Sequence, residues 1–207
     1  EAPPVIDTSN LTGTIAENAS ISTIAYDAEA TDPDGNSITF SITGTDASLV
    51  TIDSDDGEIR LKSSADFETK NSYNFNVIAT DPDGKQDTKS IRVNVTNAND
   101  QPLVTSGSTA TLAENLSNST VFYTITSTDQ DVSDSITYSV SGGDSGLITV
   151  DSTNGKVRLK TSADYENKSS YSFNIIATDN GIGNLSNLKA VTLNISDAND
   201  APVVLNN

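Results

Sequence analysis

Tyr73-Asn74-Phe75-Asn76-Val77-Ile78-Ala79-Thr80-Asp81 sets apolar side chains at positions 73, 75, 77 and 79, with Asn74, Asn76 and Ile78 between them. A two-residue period belongs to a strand with one face in a core and the other toward water. The stretch returns 98 residues later as Tyr171-Ser172-Phe173-Asn174-Ile175-Ile176-Ala177-Thr178-Asp179. A strand written twice at that interval makes the chain a tandem repeat whose unit is about one domain long.

The flanking sequence extends the pattern. Ile91, Val93 and Val95 predict the last strand of the first unit, and Val191, Leu193 and Ile195 that of the second. Asp56-Gly57 and Asn154-Gly155 separate short apolar runs and predict hairpin turns, because Asx-Gly accepts the positive φ that tight hairpins need. Seven strands are expected in the first unit, over roughly 12–16, 22–30, 37–43, 49–52, 58–62, 73–80 and 87–96, with an equivalent set in the second. No stretch carries sustained helical periodicity with caps. The expected fold is all-β, two tandem seven-stranded Greek-key sandwiches of immunoglobulin type over 1–100 and 101–200, joined by a short linker.

Composition narrows the chemistry. The chain has 207 residues with 11 basic and 29 acidic side chains, a net charge of −18. Nucleic acid and anionic membrane surfaces are disfavoured as partners, because both need clustered Lys and Arg. There is no Cys and no His, so disulfides, thiol nucleophiles, the usual general base and the usual zinc ligands are all missing. No apolar run reaches membrane length and no secretion signal is present, so a mature or excised segment without direct membrane insertion is expected.

The acids recur with the repeat. Ala16-Glu17-Asn18 returns as Ala113-Glu114-Asn115, Asp32 and Asp34 as Asp129 and Asp131, and Asp66-Phe67-Glu68 as Asp164-Tyr165-Glu166. Asn97-Ala98-Asn99-Asp100-Gln101-Pro102 returns as Asp197-Ala198-Asn199-Asp200-Ala201-Pro202. Hard oxygen donors ahead of a proline, which stiffens the exit, suit a linker that holds calcium. Acids brought together in this number repel strongly at short range and need cations, and the irregular shell of calcium suits mixed Asp, Glu, Asn and carbonyl oxygen. An EF-hand at Asp32-Pro33-Asp34-Gly35-Asn36 is disfavoured: the closing Glu is missing and the flanks are strands. The Asn-x-Ser/Thr sequons, Asn10 and Asn194 among them, are expected by chance in so Asn-, Ser- and Thr-rich a chain.

These four motifs and Ala79-Thr80-Asp81, in one order and twice over, resemble the cadherin repeat in the form found in large bacterial surface adhesins. The resemblance implies calcium ions, usually three, at the junction between successive repeats. It assigns to the central junction Glu17, Asp66, Glu68, Asn97, Ala98, Asn99 and Asp100, with Asp129, Asp131 and Asp179 from the second repeat. Asp32, Asp34, Asn36 and Asp81 would form an N-terminal partial site, and Glu114, Asp164, Glu166, Asp197, Asn199 and Asp200 a C-terminal one. Asn97 stands where the family has Asp, which implies one weaker ion. Val132-Ser133-Asp134 departs from the Gly35-Asn36 pattern of the first unit. Glu1 to Val5 reads as the tail of an earlier linker and Ala201-Pro202-Val203-Val204 as the start of a further repeat, so a two-unit slice of an array is expected.

The implied function is a calcium-binding structural extender or adhesion module at the cell surface or in secreted form, with neighbouring repeats of the same chain as its partners. The alternative is a module that binds cell-surface glycan or another copy of itself. Sugar platforms need exposed rings, and here Tyr26, Phe40, Phe67, Tyr73 and Phe75 recur as Tyr123, Tyr138, Tyr165, Tyr171 and Phe173, a pattern of core packing. Only Phe122 is unmatched. The Trp exchange used for self-adhesion in the family is closed to a chain without Trp. An enzyme is not expected, since the recurrent acids are assigned as ligands and no nucleophile with its base is present.

Overall fold

The computed structural model describes residues 1–200. Ala201-Pro202-Val203-Val204 lies outside the described residues. The chain divides into two compact units, Glu1–Ala98 and the part from Asn99 onward. Among the described residues the structure is strand and loop, with single 3-10 turns at Ala47–Leu49 and Ser145–Leu147, and no helix is long and apolar enough to cross a membrane.

In the first unit the strands are β1 (Val5–Ile6), β2 (Thr12–Ala16), β3 (Ile24–Asp27), β4 (Ala30–Thr31), β5 (Thr39–Thr43), β6 (Val50–Ile52), β7 (Glu58–Leu61), β8 (Ser72–Thr80) and β9 (Gln86–Thr96). A four-stranded sheet of order β2-β9-β8-β5 and a three-stranded sheet of order β3-β7-β6 supply the seven strands, and β1 pairs with β4. In β8 the buried residues are Tyr73, Phe75, Val77 and Ala79, as the alternation requires. They meet β9 in antiparallel register, with Tyr73 opposite Val93 and Phe75 opposite Ile91. The core adds Ile15, Tyr26, Phe40, Val50, Ile59 and Leu61. At Gly13 a β-carbon would run into the carbonyl oxygen of Ala25, so the close approach of β2 to β3 depends on glycine there.

One pairing decides where the acids go. Strand β2 lies parallel to β9, with Ala16 opposite Thr96. The residue after β2, Glu17, therefore sits beside the exit of the unit at Asn97 and Ala98, at the end where β8 begins. The other end of the unit collects the exit of β4, the start of β5 and the end of β8, since Thr39 pairs with Thr80.

The second unit repeats this plan with β10 (Leu103–Val104), β11 (Thr109–Ala113), β12 (Tyr123–Thr124), β13 (Ser127–Thr128), β14 (Thr137–Ser141), β15 (Ile148–Val150), β16 (Lys156–Leu159), β17 (Ser170–Thr178) and β18 (Ser186–Ser196). Its sheets run β11-β18-β17-β14 and β12-β16-β15, with β10 on β13. Phe122 packs edge-on against Phe173, with ring centroids 6.2 Å apart. The unmatched ring is half-buried and packs against the core, whereas Tyr165, one of the recurrent rings expected in the core, is exposed.

Two sequence expectations change. The strand expected over 22–30 is broken. Its register slips between Ile24 and Tyr26, the Ala28 amide turns to the Gly57 carbonyl at 3.1 Å, and Ala30–Thr31 leaves to pair with β1. Val5, read as linker, belongs with Ile6 to a strand, because the almost fully buried Ile6 ties this segment to the core. The turn at Asp56-Gly57 does join a hairpin, β6 to β7, with Gly57 at φ +81°.

Ile59 is fully buried. Ile59→Ala is expected to lower the stability of the first unit by about 2–5 kcal/mol, measured by chemical denaturation, through lost burial and a residual cavity.

Candidate metal centre

The strand ends place acids at both poles of each unit. At the exit pole of the first unit, Glu17 is 3% exposed, and its two carboxylate oxygens accept hydrogen bonds from the amides of Ala98 at 2.5 Å and Phe67 at 2.9 Å. One buried side chain thereby ties the end of β2, the Asp66–Glu68 loop and the linker. Asp66 shapes that loop, accepting from the Thr69 amide at 2.8 Å and the Thr69 hydroxyl at 2.9 Å. One oxygen each from Glu17, Asp66 and Glu68 lie within 4.8 Å of one another.

The exit pole of the second unit follows the same scheme with a different third member. Glu114, also 3% exposed, accepts from Ala198 at 2.9 Å and Tyr165 at 2.7 Å. These amides, Ala198 first, hold its carboxyl below the usual carboxylate range. The acids within 4.8 Å are Glu114, Glu166 and Asp200. Asp164 instead accepts from the Asn167 amide at 2.9 Å, Asp197 is exposed, and Asn199 donates to the Asp200 carbonyl at 3.2 Å. The amide of Glu166 itself favours its charged form, but desolvation and the charges of Glu114, Asp200 and Asp197 outweigh it and raise its carboxyl above the ordinary value.

The entry poles work differently. In the first unit Asp32 Oδ1 accepts from the amides of Asp34 at 2.8 Å and Asn36 at 3.3 Å, and Asp81 Oδ1 from those of Asp83 at 2.9 Å and Lys85 at 2.8 Å. The Oδ2 atoms of Asp32 and Asp81 are buried with no hydrogen-bond partner. Asp34 Oδ2 accepts from the Ala2 amide at 2.6 Å, the Asn36 side chain donates to Glu1 Oε1 at 2.7 Å, and Lys85 Nζ donates to the Glu1 carbonyl.

The second unit repeats the device. Asp129 Oδ1 takes the Asp131 amide at 3.1 Å and its Oδ2 is buried without a partner. Asp131 Oδ2 accepts from the Asp100 amide at 2.7 Å, while Asp179 accepts from the Asn99 side chain at 3.1 Å. Desolvation raises the Asp129 carboxyl, and the Asp131 amide, which opposes this, is overcome with help from the charges of Asp131, Asp179 and Asp134. A buried carboxylate oxygen without a donor is costly unless a cation meets it. These oxygens, with Asn and backbone carbonyls beside them, fit a hard divalent ion. The set Glu17, Asp66, Glu68, Asn97 and Ala98 lies at the exit of the first unit and Asn99, Asp100, Asp129, Asp131 and Asp179 at the entry of the second. The boundary between the units is the peptide bond from Ala98 to Asn99.

The model of the cadherin domain matches residues 11–96 and again 108–196. The chain belongs to the cadherin family. Human protocadherin Fat 1 is 31% identical over 97% of the chain, which corresponds to 5% of that protein. Human protocadherin-1 is 32% identical over 75% of the chain, 15% of that relative's length. Human protocadherin-24 EC1-2 superposes with a TM-score of 0.70 at 20% identity over 96% of this chain and all of that one, a likeness of fold. The chain thus spans a small part of the length of protocadherin Fat 1 and protocadherin-1. They are animal protocadherins, and the bacterial surface form expected from the motifs is not supported. Cadherin domains are extracellular and bind Ca2+ between repeats as a family trait.

Both cadherin units also carry a clamp that the sequence reading passed over. Asp46, 6% exposed, accepts from the Asn74 amide at 2.8 Å and pairs with Lys70 at 3.0 Å, and Lys70 Nζ stands 5.4 Å from the centre of the Tyr73 ring. Asp144, Lys168 and Tyr171 repeat this, with an ion pair of 3.1 Å and a ring distance of 5.2 Å. Lys70 closes the turn that begins at Asp66, its amide donating to the Asp66 carbonyl at 2.9 Å, so the clamp fixes one end of the loop bearing Asp66 and Glu68. Recurrence was the available signal, since all three residues return 98 positions on.

Burial pushes the Asp46 carboxyl up, but the Asn74 amide and Lys70 outweigh it and the group lies below 3.8. A depressed folded value stabilises the protein above the unfolded value and loses that contribution as pH falls below about 3.8. Asp46→Ala is expected to cost about 1–3 kcal/mol at pH 7 by leaving the Asn74 amide and Lys70 without their acceptor. The difference from the unsubstituted protein should shrink on acidification below the unfolded value, as read by denaturation at the two pH values.

Proposed function

We propose that this chain is a calcium-binding extender of a cell-surface or secreted cadherin array, in which Ca2+ at the junction of consecutive repeats fixes their angle and stiffens the whole. The observation that carries this reading is the buried, partnerless Oδ2 shared by Asp32, Asp81 and Asp129. Each of these residues uses its other oxygen to shape its own loop, so the loop is built before the ion arrives.

Residues 1–100 and 101–200 act as two repeats. Glu17, Asp66, Glu68, Asn97, Ala98, Asn99 and Asp100 would hold the central ions with Asp129, Asp131 and Asp179. Asp32, Asp34, Asn36 and Asp81 would complete a site with a preceding repeat. Glu114, Asp164, Glu166, Asp197, Asn199 and Asp200 would do so with a following one. When bound, calcium supplies hard positive charge that takes roughly six to eight oxygens. Without it, like charges repel and the linker is free to bend. Asn97 keeps an oxygen donor but not the charge of the Asp at the same place in the second linker, so one central ion is held more weakly.

Partners are the neighbouring repeats of the same array. Self-association is the second reading, with family membership as its support. Glycan binding is disfavoured by the packing of Phe122 against the core, and no catalytic role is proposed.

Calcium at millimolar concentration is expected to raise the melting temperature and extend the maximum dimension seen by X-ray scattering, and EGTA to reverse both. Values that stay fixed in EGTA would exclude the switch. Asp131→Ala should lower the calcium stoichiometry while both sandwiches keep their β circular dichroism.

A further inference from the structure

The first unit carries acids that its fold does not require. Beyond β1 the Asp7 amide donates to the Glu29 carbonyl at 2.9 Å, and in β3 Asp27 stands opposite Glu58. The second unit makes the same backbone contacts, Thr105 to Thr126 at 2.8 Å and Thr124 opposite Lys156, with no carboxylate on any of these residues. Asp56 of the β6–β7 turn is Asn154 there. Asp7, Asp27, Glu29 and Asp56, all exposed, thus stand where the second unit has three threonines and an asparagine.

These acids line two adjoining cavities. One, of about 600 Å³, has Val5, Ala28, Ala30 and Phe40 as its apolar lining and Asp7, Glu29 and Asp56 as its acidic lining. The other, of about 510 Å³, adds Tyr26 and Asp27 and shares Asp7 and Glu29 with the first, so the two make one groove. Desolvation, and after it the charges of Asp7, Asp27 and Glu29, raise the Tyr26 hydroxyl above its ordinary value, so three of the acids act on one ring.

The ion pairs of the first unit, among the described residues, join Arg60 to Glu58, Lys70 to Asp46 and Lys89 to Asp87, and none involves the four acids of the groove. Nor are the four gathered on a single ion: the acids whose oxygens crowd within 4.8 Å, among the described residues, are those of the exit poles. Carboxylates spread along an apolar wall suit a row of Lys or Arg side chains, whose aliphatic stems cover the wall while their heads stay at the acids. A second copy of the chain is a poor occupant, because at a net charge of −18 it brings like charge to the groove.

We infer that this groove of the first unit docks an extended, Lys- or Arg-bearing segment of a partner protein, with its stems along Val5, Ala30 and Phe40 and its cations beside Asp7, Asp27, Glu29 and Asp56. Complementary charge speeds the encounter and rejects acidic competitors. The inference goes beyond the calcium reading and does not depend on it.

The test is fluorescence anisotropy of a labelled, alternating Lys-Val octapeptide titrated with the full 207-residue chain in millimolar calcium. Binding that weakens as salt is added is expected. The triple variant Asp7→Thr, Asp27→Thr, Glu29→Thr should bind about tenfold more weakly, since exposed charge pairs are weak singly and three of them add. It installs the residues of the second unit at the same places, so its β circular dichroism should be kept. The variant Glu1→Gln, Asp83→Asn, Asp151→Asn removes the same charge outside the groove and should bind as the unsubstituted chain does. An equal loss in the two triple variants, no binding of the Lys-Val peptide, or equal binding of a Gln-Val octapeptide would overturn the assignment.

Discussion

Each pole of these sandwiches turns on what a carboxylate does with its two oxygens. At the entry poles Asp32, Asp81 and Asp129 bind loop amides through Oδ1 and keep Oδ2 buried without a donor. The first contact makes the loop, and the second oxygen carries a desolvation cost that only a cation or a proton removes. At the exit poles Glu17 and Glu114 give both oxygens to amides. Those two glutamates hold the acidic loop and the linker in one place. The exit pole is therefore organised by hydrogen bonds, and the entry pole is left with charge to be neutralised.

The sheet topology makes this possible. Glu17 and Ala98 are far apart in the chain, yet the parallel pairing of β2 with β9 brings their backbones side by side. The alternation in β8 and β9 fixes which face of each strand enters the core. A slip of one residue would turn Phe75 and Val77 to water and bring Asn74 and Asn76 into the core. The register of the core is in this sense also the register of the acids, and the same holds for β11 and β18 around Glu114.

Much of this was legible in the residues. Tyr73, Phe75, Val77 and Ala79 disclosed β8 because burial on one face leaves a period of two, and the repeat at 98 residues disclosed a second unit. Recurrence also picked out Glu17, Asp66 and Glu68, and Glu114, Glu166 and Asp200, the acids that lie close together at the two exit poles. The break in the strand expected over 22–30 was not legible. It follows from a hydrogen bond between Ala28 and Gly57, a contact across the sheet that no local pattern encodes. Asp46 was passed over because a single acid in a loop looks like a turn residue. Its meaning comes from Lys70 and Tyr73, which the fold brings to it. At the second exit pole the reading grouped Glu114, Asp164, Glu166, Asp197, Asn199 and Asp200; of these, Glu114, Glu166 and Asp200 lie within 4.8 Å of one another, while Asp164 accepts from the backbone of its own loop.

The repeats do not differ at random. The interval is 98 residues along β8 and β17, but the loop after Asp179 takes two residues more to reach its strand than the loop after Asp81, and the loop after Asp131 one more than that after Asp34. Both insertions fall at the same pole of the second unit. A longer loop there leaves the core untouched, because Ala79 and Ala177 are fully buried in the same register and the strands on either side keep their partners. What changes is the charge presented at the strand ends, with Asp134 in place of Asn36 and Gly181 in place of Asp83. A sandwich whose recurrent acids sit beyond its strand ends can alter the charge at each pole while the packing that folds it stays the same.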